Sequence, residues 1–151
     1  MAAGWGGASD LTEDRADAGV AFLAADWMAE RQLEKTGAFL EELSRDEPSF
    51  NTGFAAEGVA AAWRCALARS EPSRASRYAR SWKNAAGFIR TFLLDETDVF
   101  PFRAPKQAVG GVRCTASRAA IRIDQVSHSL HAFVEGYQNL LASRTPAPAD
   151  A

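Results

Sequence analysis

The sequence predicts an all-α domain built from two helical hairpins, and three observations predict it. Apolar residues recur at the three-to-four-residue spacing of an amphipathic helix over most of the chain. Glycine, proline and capping residues divide that pattern into long helical segments. The chain has 151 residues, 47% of them hydrophobic and 24% charged, as expected for one globular domain able to bury a core.

Residues 1–9 are small and Gly-rich, and are expected to form a flexible N-terminus ahead of a helical domain over 10–143. Asp10 and Glu13 make a capping box, after which Val20, Leu23, Trp27 and Met28 give the first helix its apolar stripe. Lys35-Thr36-Gly37 reads as the end of that helix, with Gly37 in the left-handed conformation. A short helix over Phe39–Arg45 is expected next, stopped by Pro48. Turn chemistry over Ser49–Gly53 leads into a second long helix, Phe54–Arg69. Its surface is small (Ala55, Ala56, Gly58, Ala60, Ala61, Ala62, Ala66), which suits an inner helix with neighbours on several sides.

Ser70-Glu71-Pro72 opens a third helix, with Tyr78, Trp82, Ala85, Ile89, Phe92 and Leu93 as its stripe and Arg74, Arg77 and Arg80 on a solvated face. From Asp95 to Ala120 the period disappears among Pro101, Pro105, Gly110 and Gly111, a connection long enough to be functional or disordered. A fourth helix follows over Ile121–Ala142, and residues 144–151 are expected to be a disordered tail. Pairing first with second and third with fourth gives the two hairpins. Glu57 and Asp124, each in the first turn after a Gly-containing turn, mark a weak internal repeat.

Composition excludes more than it assigns. Seventeen basic against 19 acidic residues, net charge −2, leave no nucleic-acid or membrane-surface footprint. No signal peptide and no membrane-spanning run is visible. Cys65 and Cys114 lack disulfide or CxxC spacing, so free thiols in a reducing cytoplasm are expected.

The candidate chemistry lies on the second and fourth helices. Asp124, His128, His131 and Glu135 fall at offsets of 4, 7 and 11 residues, within an arc of roughly 60° on a helix. Ile123, Val126, Leu130, Phe133, Val134, Tyr137, Leu140 and Leu141 form the broad apolar face opposite. The polar stripe has three readings: a transition-metal site, the polar face of an amphipathic helix, or the wall of a polar cavity. No H-E-x-x-H motif completes a metal set, so no metal is expected. Glu57, among small apolar residues, is either a desolvated general acid or a first-turn carboxylate complementing the helix dipole. With Asp124 it makes the carboxylate pair that glycoside hydrolysis needs. Arg113, Arg118 and Arg122 either clamp an anion or fix the loop on the helix. No phosphate-binding glycine loop is present, and no cofactor is expected.

Gly110-Gly111-Val112-Arg113, followed by Ile121-Arg122-Ile123-Asp124 and His128, resembles the last inner-helix segment of α/α-toroid proteins. In that pattern a Gly-Gly-aromatic-Arg turn leads to Arg-Ile-Asp and a Gln-His pair. This chain has Val112 and Ser127 at the aromatic and Gln positions. Phe54–Arg69 resembles an earlier inner helix, and the likeness extends over about Ser49–Leu141. The superfamily holds carbohydrate-processing enzymes and terpenoid cyclases, and the cyclase DxDD motif is absent here.

The resemblance implies a partial toroid, since a full one has about six hairpins: the C-terminal part of a longer toroid, a truncated product, or a small domain reusing the hairpins. It implies a polar inner face for a sugar-like or anionic ligand. Asp124, Glu57 and His128 are then the catalytic candidates, and Arg122, Arg113, Trp63 and His131 the ligand-binding ones. Self-association, or docking to other toroid hairpins, is expected to cover the open flanks. A non-catalytic helical interaction or assembly domain is the alternative.

Overall fold

The computed structural model describes residues 15–39, 51–115 and 120–144. The capping box at Asp10, the short helix after Phe39, the N-terminal segment and the tail beyond Arg144 lie outside them. The described residues are all-α: α1 (Arg15–Glu30), α2 (Thr52–Ala68), α3 (Pro72–Arg90), the single turn α4 (Pro105–Ala108) and α5 (Ile123–Arg144). None of these helices is long and apolar enough to cross a membrane.

Helix boundaries follow local chemistry. Pro72 sits in the first turn of α3, where its missing N–H costs nothing, and Ser70 takes a left-handed φ of 54° to make the sharp α2–α3 turn. α1 ends at Glu30, earlier than the sequence suggested. Gly37 does adopt a left-handed φ of 79°, but it closes a separate turn in which its N–H donates to the Leu33 carbonyl at 2.7 Å. A Cβ at Gly37 would run into the Asn84 carbonyl.

Three pairings set the helix directions. Phe22 stacks on Tyr78, Asp26 meets Arg77, and the Gln32 side chain donates to the Ser81 carbonyl, so α1 and α3 run in the same sense. Glu71 N–H bonds back to the Ala66 carbonyl while Trp63 meets Trp82, so α2 and α3 are antiparallel. Glu57 contacts His128 and Arg64 contacts Glu135, pairs seven residues apart on both helices, so α2 and α5 are parallel and in register. The α2–α5 and α2–α3 interfaces are the most extensive, and α1 does not touch α5. The expected hairpin of the third and fourth helices is therefore a minor contact, made by Trp82. The α2–α5 pairing between hairpins dominates instead.

Side-chain size explains this. Gly136 lies against the Trp82 ring, where a Cβ would overlap it, and Trp82 Nε1 donates to the Ala132 carbonyl at 2.8 Å. Gly53 faces Ser129, and Asn139 Nδ2 donates to the Ala60 carbonyl at 2.8 Å. The buried face of α5 is thus Gln125, Ser129, Ala132, Gly136 and Asn139. The expected apolar core face of this helix is overturned: Ile123, Leu130, Val134, Tyr137 and Leu141 are exposed, and only Val126, Phe133 and Leu140 lean on the core. The first helix behaves alike. It buries Ala18 and Ala25, where close approach favours small residues, and Phe22 on the Tyr78 ring, while Val20, Leu23 and Trp27 are exposed. The third-helix stripe is buried as expected through Tyr78, Trp82, Ala85, Ile89 and Phe92, with Leu93 outside it.

The described part of the long connection is ordered by backbone pairing. Leu94 N–H donates to the Gly111 carbonyl, Gly110 N–H to that of Leu94 and Arg113 N–H to that of Phe92, laying 110–113 against 92–94. Leu94, Val99 and Ala108 form a small separate core under it.

Candidate functional site

The register of α2 and α5 brings the two polar stripes together. Glu57 points from α2 between two imidazoles of α5: His128 Nδ1 lies 2.5 Å from its Oε2 and His131 Nδ1 3.2 Å from its Oε1. All three side chains are partly exposed, at 28%, 35% and 48% for Glu57, His128 and His131. The Phe54 ring covers one face of His128, with centroids 3.8 Å apart. Two turns further along, Arg64 and Glu135 form an ion pair at 3.5 Å. Burial raises the Glu135 carboxyl above its usual range. Arg64 and His131 oppose that shift, and the nearby Glu57 charge adds to it. Among the described residues no group of three or more His, Cys, Asp or Glu side chains is placed to hold a metal ion.

Asp124 does not join Glu57. Arg122 holds it in a forked ion pair, Nε to Oδ1 at 3.1 Å and Nη2 to Oδ2 at 2.5 Å, on the exposed start of α5. That guanidinium keeps the Asp124 carboxyl below its usual range. Of the two expected carboxylates, Glu57 is paired with histidines and Asp124 with arginine, so the glycosidase-type acid pair is replaced by a carboxylate–imidazole cluster. Trp63 is 2% exposed and packs on Trp82, so it is a core residue and not a ligand contact. Arg113 donates to the Thr91 carbonyl at 3.4 Å and fastens the loop, which is its structural rather than its anion-binding reading. Arg118 lies outside the described residues. Cys65 and Cys114 are both buried and free.

Two features were missed in the sequence. Phe54 belongs to the site, and Arg64, two turns from Glu57, joins it through Glu135. Their signal was available as a second stripe, Phe54, Glu57, Ala61 and Arg64 on α2, complementary to His128, His131 and Glu135 on α5. The second is a cavity of about 580 Å³ between α1 and the start of α3, lined by Asp26, Ser70, Glu71, Pro72, Ser73, Arg74 and Arg77. Two of the three arginines expected to be a solvated face converge there on Asp26, at 3.8 Å from Arg74 and 3.0 Å from Arg77, while Arg80 is exposed as expected. Tyr78 donates to the same carboxylate at 2.9 Å, and burial first, then that bond, holds its phenol above the usual range.

No protein-family model, curated protein or solved structure matches the chain.

Proposed function

We propose that α2 and α5 are neighbouring inner helices of an α/α-toroid-type layer related to carbohydrate-processing enzymes, with Glu57, His128 and His131 lining its ligand face. The observation carrying this reading is the parallel, in-register contact of α2 and α5. When consecutive helices alternate in direction and in layer, each layer holds parallel helices side by side, as α1 and α3 do outside and α2 and α5 inside. A closed four-helix bundle does the reverse: its parallel helices are diagonal and its first and last helices pack together. Here the parallel pair makes the most extensive contact and α1 is away from α5. The ligand is a sugar-like or anionic molecule, bound beside the Glu57 cluster with the Arg122–Asp124 pair at the α5 entrance.

The test is saturation-transfer NMR of the chain with neutral, aminated and acidic monosaccharides and disaccharides, repeated on His128→Ala. Binding by one or more of these sugars, lost in the variant, supports the reading. Absence of binding by every sugar removes it. A second reading, a helical interaction or assembly domain, is favoured by one observation, the exposed stripe Leu130, Val134, Tyr137 and Leu141 on α5. In a toroid the next hairpin covers that stripe. In a self-associating chain a second copy does.

A further inference from the structure

Resting on that reading of the α2–α5 face as a ligand site, we propose that the Glu57–His128–His131 cluster is an acceptor-only subsite. It takes a ligand through hydrogens donated by hydroxyl or amine groups of a sugar-like ring, and it turns away carboxylate- and phosphate-bearing ligands. This narrows the ligand class, because the anionic half of the expectation loses its support.

The hydrogen inventory leads there. An ionised carboxylate only accepts, and a neutral imidazole carries one N–H and one lone pair. Both imidazoles turn Nδ1 toward Glu57, one to each oxygen, so a neutral ring facing the ionised carboxylate carries its hydrogen on Nδ1. Each ring then presents the Nε2 lone pair away from the carboxylate. The remaining lone pairs of Glu57 are acceptors too. The cations nearby are already engaged: Arg64 of α2 with Glu135, and Arg122 with Asp124 at the start of α5. Three carboxylates against two guanidiniums leave the face negative when the imidazoles are neutral. An anion meeting this surface brings acceptors to acceptors and loses hydration without replacing it. A hydroxyl or amine hydrogen finds a partner. Phe54, 38% exposed beside His128, adds an apolar surface for the C–H face of a ring.

Two measurements test this on the full chain at pH 7.5. A long-range ¹H–¹⁵N spectrum of the histidines reads the tautomer directly. Both rings are expected with Nδ1 protonated and Nε2 bare, and an Nε2–H tautomer in either ring overturns the proposal. Titrations with glucose, glucosamine, glucuronate and glucose 6-phosphate read the selectivity, with the two sugars that carry no anionic group expected at least about tenfold tighter than the two anions. In Glu57→Gln the carboxamide can donate to one Nδ1, releasing that ring to carry Nε2–H, so the discrimination is expected to shrink severalfold. A melting curve confirms that the variant is folded. Glucuronate or the phosphate binding as tightly as glucose overturns the acceptor-only subsite and leaves the ligand-site reading in place. Absence of binding by all four sugars overturns both.

Discussion

Glu135 and Asp124 share one stripe of α5, yet burial and pairing push their carboxyls in opposite directions. Glu135 has its folded pKa raised, so its contribution to stability is present below the usual carboxyl range and is lost as pH rises through the raised value. Glu135→Gln is expected to abolish that decline and to equal or exceed the wild-type melting temperature at pH 7. The Arg64 partner it gives up is 43% exposed and contributes little. Melting curves from pH 4 to 8 check this, and a variant less stable than wild type throughout contradicts it. Asp124 has its folded pKa lowered by Arg122, so its contribution is present above the usual range and is lost as pH falls through the lowered value. Asp124→Asn is expected to lower the melting temperature slightly at pH 7 and to converge with wild type in strong acid.

At the scale of the element, the fourth helix shows what patterning conveys and what it hides. Its existence, its rough limits and the common face of Asp124, His128, His131 and Glu135 were all legible from a 3.6-residue period. Which face is buried was not, because hydrophobicity alone assigns Leu130 and Val134 inward. The decisive property is size. Gly136 and Ala132 admit the Trp82 ring, and Gly53 admits Ser129. Gly136→Ala is therefore expected to cost about 1–3 kcal/mol by overpacking against Trp82. Asn139→Ala, which deletes the buried bond to the Ala60 carbonyl, is expected to cost about 1–2 kcal/mol. Denaturant unfolding measures both, and neutrality of either contradicts the packing of α5 on its small-residue face. The site was legible by halves. Both histidines and Glu57 were identified, but their partnership depended on a helix register that no single-helix period contains. The near-repeat at Glu57 and Asp124 pointed to the right helices at the wrong offset: Glu57 meets His128, 71 residues away.

At the scale of the molecule, two apolar stripes are exposed among the described residues, Val20, Leu23 and Trp27 on α1 and Leu130, Val134, Tyr137 and Leu141 on α5. Contiguous surface of this kind favours association. The isolated chain is expected to exceed its monomer mass of 16.3 kDa in light scattering at micromolar concentration, most simply as a two-fold dimer. A double variant, Leu130→Glu with Tyr137→Lys, is expected to return it to monomer while leaving monomer stability within about 0.5 kcal/mol, since neither side chain is in the core. A wild-type chain that is cleanly monomeric and melts cooperatively contradicts the association.

The parallel α2–α5 pair has an electrical consequence. Antiparallel neighbours cancel each other's macrodipoles, whereas two parallel helices side by side repel and sum their fields. The positive poles of α2 and α5 therefore emerge together at one rim of the layer, equivalent to roughly half a charge each. Asp124 lies in the first turn of α5, where its negative charge offsets that field, whereas Glu57, expected in the first turn, lies in the second turn of α2, beyond the strongest part of it. Arg122, paired with Asp124, adds a positive charge at the same rim, so neutralising both carboxylates would leave the summed poles and that guanidinium unopposed.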